Sequence, residues 1–143
     1  MGAFLHRINK AYSLRVREAT KTLHHTDLTA VAKTQTFNFA AALPAHAIVI
    51  GSHIDITEAV NDGAAGTFTA DFGFAGTVNA WLDGVDLTTG IADKDNPKGA
   101  TACGVFLGAV TPMITVGGSV NLSTATAGNF VASLLYIDPT QAD

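Results

Sequence analysis

Five histidines, a single cysteine and one loop that bears two aspartates are the most reactive material in this sequence of 143 residues. The histidines are His6, His24, His25, His46 and His53. Zinc ligands come at short, defined spacings on a shared element, and the adjacent pair His24 and His25 would point to opposite sides of a strand. Asp93, Asp95 and Asn96 place oxygen ligands near Gly99, as a calcium loop does. The ligand order of an EF-hand and its terminal Glu are missing, and Lys94 and Lys98 would oppose a cation. That stretch reads as a solvated loop punctuated by Pro97 and Gly99. Cys103 sits among Ala, Gly, Val and Phe, the setting of a buried inert thiol. Alone, it makes no intrachain disulfide. No metal and no cofactor is expected.

Nucleophilic chemistry finds no better footing. The sequence has no Gly-x-Ser-x-Gly elbow, and Ser52-His53 has no recognisable third partner. A Cys103–His pair lacks supporting context, and no glycine-rich phosphate loop ends in Lys-Ser or Lys-Thr. The expectation is a protein that is not an enzyme.

Composition and charge bear on partners. Hydrophobic residues are 48% and charged residues 14% of the chain, against roughly 25% charged in average proteins. Either Thr, Ser, Asn and Gly cover the surface, or another protein does. The net charge of -4 hides an asymmetry. Residues 1–33 hold six basic side chains (Arg7, Lys10, Arg15, Arg17, Lys21, Lys33) and two acids (Glu18, Asp27). Residues 34–143 hold Lys94 and Lys98 against ten acids, and none of Asp, Glu, Lys or Arg occurs between 99 and 137. The chain thus reads as a basic N-terminal arm, 1–33, joined to an acidic or neutral body, 34–143. The arm could contact phosphate and stack Phe4 or Tyr12 on a base, but the acidic body would repel a polyanion, so no nucleic acid is expected. No membrane is expected either. Residues 1–12 lack the apolar core of a signal peptide, and the uncharged run is broken by Gly, Thr, Ser, Asn and Pro112.

The elements that would carry any site are strands. Residues 47–56 alternate with a period of two, with Ile48, Ile50, Ile54 and Ile56 on one face and only Ser52 interrupting it. Residues 34–39 place Phe37 and Phe39 together, and 67–74 place Phe68, Ala70, Phe72 and Phe74 together. Asn61-Asp62-Gly63 between two such strands has the grammar of a hairpin. Asp83-Gly84 separates 78–82 from 85–87. After the loop at 93–99, the stretches 101–107, 113–116, 119–122 and 129–137 are all strand-like. Seven to nine short strands separated by turn signals indicate an all-β sandwich of jelly-roll type, 34–143, preceded by the arm. Within the arm, Phe4, Ile8, Tyr12 and Val16 are spaced by four, as in an amphipathic helix, whereas residues 12–17 alternate as in a strand. Both conformations stay open. The Ile48/Ile50/Ile54/Ile56 and Phe68/Phe72/Phe74 faces are expected to meet in one core.

The body resembles a known class of protein. Phe37-x-Phe39, Leu43-Pro44-Ala45-x-Ala47-x-Val49-x-Gly51, the alternating Ile strand, Gly66-Thr67-x-Thr69-x-Asp71-x-Gly73 and Trp81-Leu82-Asp83-Gly84-Val85-Asp86-Leu87 are similar to small β proteins of tailed bacteriophages, among them capsid decoration (cement) proteins. The resemblance covers about residues 34–137 and rests on structural motifs. It implies a structural protein on the outer capsid surface of a virion, made in the host cytoplasm, forming homotrimers and contacting the major capsid protein. It also implies an arm lying on a partner, for which Phe4, Leu5, Arg7, Ile8, Lys10, Tyr12, Leu14, Arg15, Val16 and Arg17 are the candidate contacts. The competing expectation is a carbohydrate- or receptor-binding module of a head or tail fibre, with Trp81 and Tyr136 as its platform.

Overall fold

A computed structural model of the chain describes residues 15–89, 92–94 and 106–139. Among the described residues, eight strands form two antiparallel four-stranded sheets. The first sheet has the order β1 (Arg15–His24), β8 (Ala127–Asp138), β3 (Ile48–Asn61), β6 (Ala92–Lys94). The second has the order β2 (Thr34–Asn38), β7 (Pro112–Gly118), β4 (Phe68–Phe74), β5 (Thr77–Asp86). Successive strands cross between the sheets except at β4–β5. This double-sheet, eight-strand winding is the jelly roll expected from the sequence.

The core lies between the sheets. Leu23, Val49, Ile54, Ile56, Val60, Phe130, Ala132 and Leu134 come from the first, and Phe68, Ala70, Phe72, Trp81, Leu82, Val85, Ile114 and Val116 from the second. At one end an aromatic cluster closes it. Phe72 stacks on Phe39 at 5.4 Å and meets Trp81 edge-on at 5.2 Å. Phe106 packs on Phe74 at 5.3 Å and on Trp81 at 6.0 Å. Such edge and offset contacts are the favoured geometry of aromatic pairs.

Four expectations are corrected. First, the isoleucine face of β3 is split. The register against β8 jumps between Val49 and Gly51, leaving Ile50 and Gly51 opposite Leu135. A β-bulge adds one residue and so reverses which side chains point inward. Val49, Ser52, Ile54 and Ile56 are buried, while Ile50 is 42% exposed. Second, Asp62-Gly63 does not close a hairpin, because β3 and β4 belong to different sheets. Asp62 Oδ1 accepts the N–H groups of Ala64 and Gly66 and shapes a crossing between layers. The hairpin is β4–β5, which turns at Ala75-Gly76 with Gly76 at φ 89°. Third, Asp83-Gly84 lies inside β5. It forms an irregularity whose Gly84 N–H donates to Asp71 Oδ1 at 2.7 Å. Fourth, residues 119–122 are not a strand. They lead into a 3-10 turn at Leu122–Thr124 that buries Leu122.

The division at residue 33 also moves. Arg15–His24 is the first strand of the sandwich, pairing along its whole length with β8. Leu23 and Leu28 enter the core. Gln35 accepts the N–H of Ala30 and donates to the Asp27 carbonyl, and Lys33, Ala32 and Ala30 accept from Gly118, Leu122 and Ser123. Residues 15–33 are therefore built into the body. Residues 1–14, with Phe4, Leu5, Arg7, Ile8, Lys10, Tyr12 and Leu14, lie outside the described residues, as do Cys103 and most of the 93–99 loop.

Candidate partner-binding surface

Among the described residues, the outward face of the first sheet carries Val16, Ile50 and Leu135, three of the four exposed large hydrophobics that lie in strands. Cross-strand register sets its rows. Val16 stands beside Ile137, and Ile137 beside Ile48. In the next row Glu18 stands beside Leu135, which faces the Ile50-Gly51 bulge. Thr20, Ser133 and His53 follow, then Thr22, Val131 and Asp55. The first two rows thus gather Val16, Ile48, Ile50, Leu135 and Ile137 at one end. Val16 is 59% exposed and Leu135 39% exposed. A built Cβ on Gly51 would touch Leu135 Cδ1 at 3.8 Å, so the bulge seats the leucine without a side chain in its way. The bulge thereby does two things. It turns Ser52, Ile54 and Ile56 into the core and Ile50 out to solvent.

This patch lies at the end of the sandwich where β1 begins and β8 ends. Two shallow depressions open at the same end. One, of about 370 Å³, is lined by Asn38, Phe74, Ala75, Val110, Met113 and their neighbours, with no ionisable side chain. The other, of about 210 Å³, runs between Glu18–Thr20 of β1 and the 39–43 connection and reaches Tyr136. Neither assembles groups for acid–base or nucleophilic work.

Of the expected contact residues, Val16 is on the patch. Arg15 is exposed at the start of β1. Arg17 alternates to the inner side, where its Nε lies 3.6 Å from Oδ2 of the buried Asp138. That ion pair ties β1 to the end of β8, so Arg17 serves the sandwich's own structure.

The chemical candidates fare as follows. Ser52 and His53 point to opposite faces of β3, and Ser52 is buried. Among the described residues no group of three or more His, Cys, Asp or Glu is placed to hold a metal. Trp81, the proposed sugar platform, is 0% exposed inside the aromatic cluster, and Tyr136 is half-buried. Among the described residues, the carboxylate of Asp86 is tuned. The Thr89 hydroxyl, then the Thr88 N–H, hold the Asp86 carboxyl below its ordinary range. This group shapes the turn after β5, because Thr88 Oγ1 in turn accepts the Phe68 N–H at 2.7 Å. No described helix is long and apolar enough to cross a membrane.

Sequence reasoning missed Ile48, Ile50, Leu135 and Ile137 as a surface. The uncharged run through β8 hinted at one, but the bulge that exposes Ile50 leaves no mark in the residue pattern.

No family model matches the chain, and no curated protein matches it. Among solved structures, a chain of the cyanophage Pam1 capsid asymmetric unit is similar with TM-score 0.65 and 16% identity, over 88% of this chain and 86% of that one. A chain of the acidic stable capsid of Helicobacter pylori bacteriophage KHP30 is similar with TM-score 0.56 and 13% identity, over 87% and 88%. A chain of the capsid of Ralstonia phage GP4 is similar with TM-score 0.55 and 18% identity, over 90% and 85%. The protein shares the fold of these three chains over most of its length and of theirs.

Proposed function

We propose that this chain is a non-enzymatic structural protein of a phage virion that binds the outer surface of the capsid and stabilises the shell. One observation carries the reading: the likeness spans most of both partners in three chains, each from a phage capsid structure. The partners are the major capsid protein and further copies of the chain, as a trimer. The mechanism is mass action. A subunit that bridges neighbouring capsomers binds only the assembled shell, and it stabilises that state increasingly as its free concentration exceeds its Kd. Burial of Trp81 removes the main support for a sugar-binding module.

Shells prepared with and without the protein test this. Heating or low-salt challenge should disrupt the bare shells first, and adding the purified protein should restore resistance. Equal resistance of the two preparations would contradict the reading.

A further inference from the structure

We infer that the outer edge of β1 receives an extended segment of the capsid subunit, which joins the first sheet as a further strand and sets an acidic side chain against Lys21. The identity of the partner rests on the function proposed above. The chemistry of the segment rests on the edge itself.

Among the described residues the two sheets have four edge strands, β1, β6, β2 and β5. An exposed edge is a template for a further strand, and proteins blunt it with short strands, bulges or charge. β6 has three residues and β2 five. β5 is broken by register shifts and by Gly84 at φ 60°. β1 runs for ten residues in unbroken register with β8 and contains neither Gly nor Pro. What guards it is charge on the inner face. Arg15, Arg17, Ala19 and Lys21 alternate to the same side as the buried Leu23. Arg17 is held by Asp138. Lys21 is partly buried and has no ion pair among the described residues. A strand can join here only if it brings a carboxylate to that ammonium.

An added strand lies about 4.8 Å from β1, close enough for a side chain opposite Lys21 to pair with it. Two residues away on the same face stands Ala19. Beside it opens the depression of about 210 Å³, walled by Ala40, Ala41, Ala42 and Leu43 of the 39–43 connection. Glu18 stands at its rim, on the other face of β1 from Lys21. An aliphatic side chain two residues from the acid fills this depression. Main-chain hydrogen bonds then supply affinity, and the two side-chain positions supply selectivity.

Copies of this chain complement the edge poorly. Opposed side chains of an antiparallel pair share a face. β1 against β1 of a second copy would therefore set Arg15, Arg17 or Lys21 against one another or against Ala19 and Leu23, with no acid among them. Residues 1–14 hold Arg7 and Lys10 and no acid either. Neither stretch supplies the carboxylate.

Photo-cross-linking on shells tests it. Full-length protein with a benzophenone amino acid in place of exposed Thr20 is bound to shells and illuminated, and the joined peptides are identified by mass spectrometry. The expected product links β1 to a segment of the capsid subunit that holds Asp or Glu two residues from an aliphatic side chain. Its yield should be at least fivefold that from the same substitution at exposed Thr36 of the second sheet. Lys21→Glu should weaken shell binding at least tenfold, and Lys21→Arg less than twofold. Ala41→Trp, at an exposed position that lines the depression, should also weaken it at least tenfold. Melting curves verify that each variant is folded, and Lys21→Gln replaces Lys21→Glu if the latter is not. A main cross-link to a second copy of this chain, or within the chain, would overturn the assignment. So would a Thr20 yield no higher than that of Thr36, or folded Lys21 variants without the charge that bind shells as wild type does. In those cases wild type still binds, and the capsid reading stands. Wild-type protein that never pellets with shells would overturn both.

Discussion

Phe72 and Ile50 look alike in the sequence, since each is a large apolar residue at a regular position in an alternating strand. In the folded chain Phe72 is fully buried between Phe39 and Trp81, and Ile50 projects from a bulge. Phe72→Ala should therefore cost about 3–5 kcal/mol in urea unfolding. Ile50→Ala should cost about 0.5 kcal/mol or less, the range of surface substitutions. Similar losses at the two sites would mean that β3 has no bulge. Gly73 makes a sharper case. A Cβ there would run into the Thr77 carbonyl oxygen and the Val78 backbone across the β4–β5 hairpin. Backbone cannot step aside as a side chain can, so Gly73→Ala should destabilise by about 1–3 kcal/mol, measured the same way. Asp86 supplies a pH dependence. Its folded pKa is depressed by the Thr89 hydroxyl and the Thr88 N–H. Its contribution is then complete above the unfolded Asp range, ~3.9, and is lost as pH falls through the lower folded value. The stability gap between wild type and Asp86→Asn should be larger at pH 7 than at pH 3. An unchanged gap across that interval would show that the turn does not depend on the carboxylate.

The elements show which physics the sequence exposes. Period-two alternation with β-branched and aromatic residues marked β2, β3, β4, β7 and β8 because one face of each strand is buried. The number of strands and their short spacing then pointed to the jelly roll. β1 was harder. Residues 12–17 satisfied both a helical and a strand period, and the basic residues suggested a separate arm. What decides its fate is non-local: ten residues of pairing with β8, from the far end of the chain, and the insertion of Leu23 and Leu28 into the core. The bulge at Ile50 was invisible for the same reason, since register is set against Leu135 and not by neighbours in sequence. The exposed patch inherited that blindness. A deletion series follows from this correction. Removing residues 2–14 should leave the melting transition cooperative. Removing residues 2–30 should abolish it or lower its midpoint sharply. Fully burying one leucine is worth about 1.5–3 kcal/mol, and the longer deletion removes two along with an entire strand. If the longer deletion melted like the intact protein, β1 would be dispensable and the arm would extend to residue 33 after all.

At the scale of the molecule, an acidic, charge-poor sandwich with an apolar corner and a cationic N-terminal segment is suited to association with protein. The uncharged stretch from 99 to 137 supplies β7 and β8 at the centres of the two sheets. On the second sheet, Thr36 and Thr115, whose hydroxyls are 3.2 Å apart, share a row with Asp71, so that face is polar. The first sheet exposes an aliphatic corner that includes Val16, Ile50 and Leu135. The central claim is that this surface chemistry serves a capsid shell, and titration of shells with the purified protein tests it most directly. Shells of the parent phage assembled without the protein would be mixed with increasing amounts of it, pelleted, and the bound copies counted. The account predicts saturable binding at a fixed ratio to the capsid subunits, retained by variants such as Asp86→Asn that leave the surface intact. Protein that stays in the supernatant at every concentration, with folded protein and intact shells both verified, would contradict it.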